Sequence, residues 1–294
     1  MEIRLKGVRN SMIDIIIDTI IDGLKLIPFL WAAFLLIELV EHKLSKKNKK
    51  IIAESGKYGP VIGGILGAFP QCGFSVMATN LYVTRIITLG TLIAVYLSTS
   101  DEMIPILLSQ NVAFSEILKI VLLKVVIGIF CGFVIDWIIR KQDKKKHKVT
   151  KKEQYEICEH DHCHCESGIL SSSIKHTANT LVYILLTSFL VNLAFTYLGE
   201  DALSQLFLKD SVLGSFITSL IGLIPNCGAS IMITELYLSG AISFGSLIGG
   251  LLTGSGVGIL VLFRANRNMK ENLMILALVY GIGAFFGFIL NVFI

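Results

Sequence analysis

Cys72 and Cys227 each stand in a Pro–amide–Cys–Gly tetrad, Pro70–Gln71–Cys72–Gly73 and Pro225–Asn226–Cys227–Gly228, and both tetrads interrupt apolar runs. A deprotonated thiol is a soft ligand for a metal or metalloid. Gln71 and Asn226 add amide donors and acceptors, and Ser75 and Ser230 follow with hydroxyls. The alternative is that Gly and Pro kink packed helices and that the thiols are small buried apolar groups. A second polar break, "YLSTSDEMIP" (Tyr96 to Pro105), places Ser98, Thr99, Ser100, Asp101 and Glu102 inside another apolar run. Carboxylates at membrane depth are costly and are functional candidates by default. The hydroxyls suit coordination of a cation or donation to an oxyanion. Asn80 and Glu235 either bond across their helices or coordinate substrate.

Three further groups carry chemistry. Asp14, Asp18 and Asp22 recur at i, i+4 spacing, with Lys25 nearby on that face. They are candidates for guiding cations or relaying protons, and an amphipathic interfacial helix explains them equally well. The tract "CEHDHCHCE" holds Cys158, His160, His162, Cys163, His164 and Cys165, a composition that binds Zn or Cu. Its irregular spacing selects no particular metal, and an incidental His-rich linker is the plainer reading. Lys119 and Lys124 are expected to snorkel from the start of a span, and Asp136 to sit at its cytoplasmic interface.

The elements that must hold these groups are membrane helices. The chain is 53% hydrophobic and only 16% charged, with mean hydropathy +0.72, against about a quarter charged for a soluble domain. Apolar windows of spanning length begin at Leu26, Leu89, Ile117, Leu181, Phe244 and Leu273. No cleavable signal peptide is evident. The six cysteines divide between apolar segments and the His-rich tract, so they are not a disulfide framework. No GxxxxGK[ST] phosphate loop is present.

The sequence also repeats. A shift of 155 residues superposes Pro70 on Pro225, Cys72 on Cys227, Ser75 on Ser230, Tyr82 on Tyr237 and Glu116 on Glu271. Basic loops at His42–Lys50, Arg140–Lys152 and Arg264–Lys270 belong in the cytoplasm, and the acidic stretch Gly199–Asp210 outside. All four fit if 56–85 is a re-entrant hairpin entered from the cytoplasm and 211–240 its twin entered from outside. Lipid excludes unsatisfied backbone except where it lines a cavity, so paired breaks mark a transporter's midplane site. The expected fold is therefore an all-α polytopic membrane protein of two inverted-topology repeats. Each repeat has about five segments, one pair forming a broken re-entrant hairpin. The expected divisions are 1–140, a cytoplasmic basic and His/Cys-rich linker 141–170, and 171–294.

The stretches "DGLKLIPFLWAAFLLIELVEH", "FPQCGFSVMATNLYVTRIITLGTLIAVYLSTSDEMIP" and "ISFGSLIGGLLTGSGVGILVLFRANRNMKEN" resemble the ten-transmembrane heavy-metal exporter family. Its members are commonly labelled arsenic efflux proteins or manganese transporters. The resemblance implies an integral membrane permease that exports a metal or metalloid, with the bilayer as its setting. At the level of architecture, the twin hairpins are similar to elevator-type secondary transporters.

The expected activity is secondary-active transport by alternating access between the two tetrads, in a prokaryotic-type plasma membrane. Ser98 to Glu102 lie alongside the substrate, and Asp101, Glu102 or the acids at Asp14, Asp18 and Asp22 are coupling candidates. Thiols favour arsenicals, carboxylates favour Mn²⁺, and helix N-termini favour an anion. An organic-anion carrier is the first alternative. A membrane thiol oxidoreductase and a metal sensor are weaker ones, because the Cys lack a CxxC pairing and duplicated breaks suit a pore. No catalytic residue, no required cofactor and no nucleic-acid partner is expected; the only metal expected beyond substrate is one held by the linker. Self-association is left open.

Overall fold

The structure is a computed structural model that describes residues 58–69, 73–100, 103–145, 214–225 and 227–293, with scattered helical positions at 21–35 and 173–189. The described residues are helical and contain no strand. Among the continuously described residues, five helices come from the first half: α1 (Gly59–Gly67), α2 (Gly73–Val83), α3 (Leu89–Ser98), α4 (Met103–Ser109) and α5 (Phe114–Lys145). Five follow in the second: α6 (Gly214–Gly222), α7 (Cys227–Leu238), α8 (Phe244–Thr253), α9 (Gly258–Ala265) and α10 (Met269–Phe293). Gly59 and Gly214, Leu89 and Phe244, and Phe114 and Met269 open matched helices 155 residues apart, the same interval as the sequence repeat.

Among the described residues four segments are long and apolar enough to cross a membrane: Leu89–Ser109, Phe114–Lys141, Phe244–Ala265 and Met269–Phe293. The first and third are the interrupted pairs α3/α4 and α8/α9. They are largely enclosed by protein, whereas the outer spans α5 and α10 are mostly uncovered. On α5, Leu118, Leu122, Val126, Phe130 and Trp137 form an exposed apolar stripe, as lipid contact requires. The expected windows from Leu26 and Leu181 lie largely outside the described residues.

The opposite face of α5 is built from small residues. Gly128 and Gly132 are four apart, so they share a face, and α3 lies against them. A Cβ on Gly128 would lie 2.9 Å from the Ala94 carbonyl, and one on Gly132 would lie 2.5 Å from the Gly90 carbonyl. The second half repeats this: a Cβ on Gly283 would lie 2.8 Å from the Gly249 carbonyl, and one on Gly287 would lie 2.8 Å from the Gly245 carbonyl. Backbone packs on backbone in both halves, which is how helices associate where lipid supplies no hydrophobic drive.

Capping fixes where the inner helices start. Thr88 accepts from Thr91 N at 3.2 Å ahead of α3, and Ser243 accepts from Ser246 N at 3.3 Å ahead of α8. Asp136, expected at an interface, is instead only 6% exposed. Its carboxylate accepts from Gly90 N at 2.9 Å and from the Thr88 hydroxyl at 2.7 Å. The equivalent Asn291 accepts from Ser243 at 2.6 Å through its amide oxygen. The two halves interlock: α2 packs on α9, α7 packs on α4, and α3 touches α8 and α10.

Candidate functional site

Each half places the end of its first helix against the end of its third. A Cβ on Gly67, the last residue of α1, would run into Ser98 Oγ and the Val95 carbonyl. A Cβ on Gly222, at the end of α6, would run into the Gly250 carbonyl and Thr253 Oγ1. The chain therefore leaves α1 beside the α3/α4 break, and leaves α6 beside the α8/α9 break. Pro70, Gln71, Cys72, Asp101, Glu102 and Asn226 lie outside the described residues. Pro225 follows α6, half-buried, and the backbone of Cys227 opens α7.

Helix α2 then carries the first half into the second. Its opening residues Gly73 and Ser75 are buried. A Cβ on Gly258, the first residue of α9, would lie 2.9 Å from Ser75 Cβ and 3.0 Å from the Tyr96 ring. One turn on, Thr79 Oγ1 bonds Tyr96 OH at 2.6 Å and donates to the Gly258 carbonyl at 3.2 Å. Three elements from two halves thus meet at one buried point: the start of α2, the C-terminal part of α3, and the break before α9. Asn80, on the same helix, is buried, and its Nδ2 has no hydrogen-bond partner. Its aligned counterpart Glu235 is exposed, so the two do not share an environment.

The hydroxyls of the first break all spend their protons on carbonyls. Ser98 donates to Ala94 O at 2.7 Å, Thr99 to Val95 O at 2.7 Å, and Ser100 to Ser98 O at 3.0 Å. What remains on these oxygens is lone pairs, so the break offers acceptors. Beside it stands Lys124, which is fully buried instead of snorkelling, and its ammonium donates to the Thr99 carbonyl. Lys124, Gly128, Gly132 and Asp136 recur at i, i+4 along α5, which places them on one face. That face gives α3 an anion at its N-terminus and a cation at its C-terminus, both matched to the helix dipole. In α10 the corresponding positions are Val279, Gly283, Gly287 and Asn291, so α8 receives neither charge.

A second cross-half contact lies at the far end of α2. Arg85 Nη1 and Nη2 donate to the two carboxylate oxygens of Glu271 at 2.8 and 3.0 Å, and Tyr82 OH also bonds Glu271. The hydrogen bonds donated to Glu271 outweigh the cost of burial and hold the Arg85 guanidinium protonated more firmly than usual. The pairing was not legible beforehand, because the repeat aligns Arg85 with Gly240 and Glu271 with Glu116. Glu116 instead pairs with Lys119 on the surface at 2.6 Å.

Among the described residues no group of three His, Cys, Asp or Glu side chains gathers to hold a metal. The linker set Cys158 to Cys165 and the acids Asp14, Asp18 and Asp22, with Lys25, lie outside those residues. Cys131 is a free, buried thiol on α5.

Spanning helices, glycine-packed pairs and buried polar breaks define a helical integral membrane protein. The chain matches the family ArsP_2, described as "Putative, 10TM heavy-metal exporter", over residues 11–197 and 176–294, and it belongs to that family. It is thus a member of a membrane transporter family, not of an enzyme family. Neither a curated protein nor a solved structure matches it.

Proposed function

We propose that the protein is a secondary-active exporter of a metal or metalloid ion, working by alternating access between two inverted repeats. Substrate is held where the tetrad of one half meets the break of the other: Pro70–Gly73 with Gly254–Gly258, and Pro225–Gly228 with Ser98–Glu102. The observation that carries this reading is the buried junction of Ser75, Tyr96 and Gly258, where three elements of two halves converge. Cys72 and Cys227 supply soft ligands, and Asp101 and Glu102 supply charge for a cation. Asp101 and Glu102 bring two negative charges to the acceptor-rich first break against the one positive charge of Lys124, which favours a cation over an anion.

The Arg85–Glu271 pair supports the inversion. Residues 85 and 116 stand at opposite ends of one membrane-length segment, Leu89–Ser109. Glu271 is the repeat equivalent of Glu116. Two halves of parallel orientation would keep Arg85 and Glu271 a membrane apart, whereas a flipped second half brings them together. On this reading 56–85 and 211–240 are re-entrant hairpins entered from opposite faces. The Arg264–Lys270 loop and the 141–170 linker are cytoplasmic, and the linker collects metal for export.

The test is flux of Mn²⁺, arsenite and methylarsenite in proteoliposomes, comparing the native chain with Cys72→Ser and Asp101→Asn. Both substitutions should abolish flux while leaving the protein folded in the membrane. Native flux in both would remove the site from these breaks, and flux of organic anions alone would favour an anion carrier.

A further inference from the structure

The two interrupted spans are near-copies whose breaks differ in charge: Asp101 and Glu102 in the first, and Lys124 beside it on α5, stand where the second half has Gly256, Val257 and Val279. In the first, the C-terminal carbonyl of Thr99 is occupied by the Lys124 ammonium, a monovalent cation tethered to α5. In the second, the position of Lys124 is Val279, which is fully buried and has nothing to donate. Helix α8 ends at Thr253 all the same; the last carbonyls of a helix lack partners within it, and that of Thr253 accepts from Ser255 N at 2.8 Å with a second lone pair to spare. Thr253 Oγ1 donates its proton to the Gly250 carbonyl at 2.9 Å, leaving lone pairs as Ser98 does in the first half. Two residues on, Ser255 is 1% exposed, and its hydroxyl has no hydrogen-bond partner. It is the repeat equivalent of Ser100, which does have one. A buried, unpartnered hydroxyl at the negative end of a helix is costly unless something binds it.

We propose that the α8/α9 break, Thr253–Gly256, is a binding site for an alkali-metal cation, and that Lys124 fills the equivalent seat in the first half with the protein's own charge. Carbonyl and hydroxyl oxygens are hard, neutral ligands. They suit a single positive charge, and a lysine ammonium is that charge in the twin. Fixed in one half and exchangeable in the other, the two cations make the halves inequivalent. The seat also adjoins Gly258, which touches Ser75 and Tyr96 at the proposed substrate junction, so its occupancy bears on that junction directly. Its role as the coupling-ion site rests on the transport reading above; the site itself rests on the two breaks alone.

The experiment is thermal unfolding of the purified full-length protein in detergent, titrated with NaCl, LiCl and KCl at constant ionic strength against choline chloride. One of the three ions should raise Tm saturably, by roughly 5 °C at a hundredfold excess over its Kd. Ser255→Ala should raise the half-saturating concentration roughly tenfold. Val279→Lys, which carries a tethered ammonium into the second seat, should abolish the response. The proposal is overturned by no response of the native chain to any of the three ions, or by a response that Ser255→Ala leaves unchanged. A Tm that follows pH while ignoring all three ions also overturns it, in favour of a proton. An intact alkali response in a protein that moves no metal in liposomes would sink the transport reading and leave the cation site standing.

Discussion

Arg85 occupies a backbone conformation that its repeat equivalent reaches with glycine. Its φ is +62°, and Gly240 has φ +70°. For a residue with a side chain the left-handed region costs about 1–2 kcal/mol. Against that cost stands a bidentate ion pair with Glu271 whose side chains are 29% and 11% exposed. Hydrogen bonds to charged groups contribute about 1.5–3 kcal/mol, and solvent screening at the half-exposed arginine lowers this to about 1–2 kcal/mol. Two substitutions separate the effects. Arg85→Gln keeps the strained backbone and loses the pair, so it should unfold about 2–8 °C lower, at 2–4 °C per kcal/mol for a chain of this size. Arg85→Gly loses the pair and relieves the backbone, so it should lie within about 3 °C of the native protein. Thermal unfolding in detergent, completed as a double-mutant cycle with Glu271→Gln, gives the pair its own coupling energy. If Arg85→Gly unfolds below Arg85→Gln, or if the coupling is under about 0.5 kcal/mol, the balance described here is wrong.

Asp136 holds the start of α3 through two hydrogen bonds, and Asn291 holds that of α8 by accepting from Ser243. Asp136→Asn should therefore cost under about 1 kcal/mol and Asp136→Ala about 2–3 kcal/mol, by the same unfolding assay. Gly132→Ala should cost about 1–3 kcal/mol or prevent folding, because its new methyl would meet the Gly90 carbonyl and Pro60. Gly281→Ala, in the matching outer helix with nothing within 4 Å, should be neutral or stabilising by up to about 1 kcal/mol.

Much of the framework was legible in the chain. Hydropathy marked the four described spans, because a run of twenty apolar residues has few other uses. The repeat at 155 anticipated the matched helix order, since two copies of one pattern fold alike. The helix-packing faces were also there to read, as "GIFCG" and "GAFFG" at Gly128 and Gly283. Lys124 was misplaced for a geometric reason. Hydropathy starts its span near Ile117, but the helix starts at Phe114, so the lysine stands about 15 Å along it, beyond snorkelling reach. Asp136 looked interfacial because sequence does not reveal that another helix begins at its carboxylate. The partnership of Arg85 with Glu271 was hidden because a cross-half contact depends on how the halves are set together, and the repeat alignment sets Arg85 against Gly240 and Glu271 against another acid, Glu116.

The proposed export requires substrate to bind at the junction of tetrad and break. The most direct measurement is ligand-induced thermal stabilisation of the purified protein with Cys158–Glu166 deleted, so that the linker contributes no metal sites. Mn²⁺, Zn²⁺, arsenite, methylarsenite and a panel of organic anions would be screened on the native and Cys72→Ser chains. The account predicts a saturable rise in Tm with one metal or metalloid, lost in Cys72→Ser. A rise that survives Cys72→Ser, or one that appears only with organic anions, would contradict it.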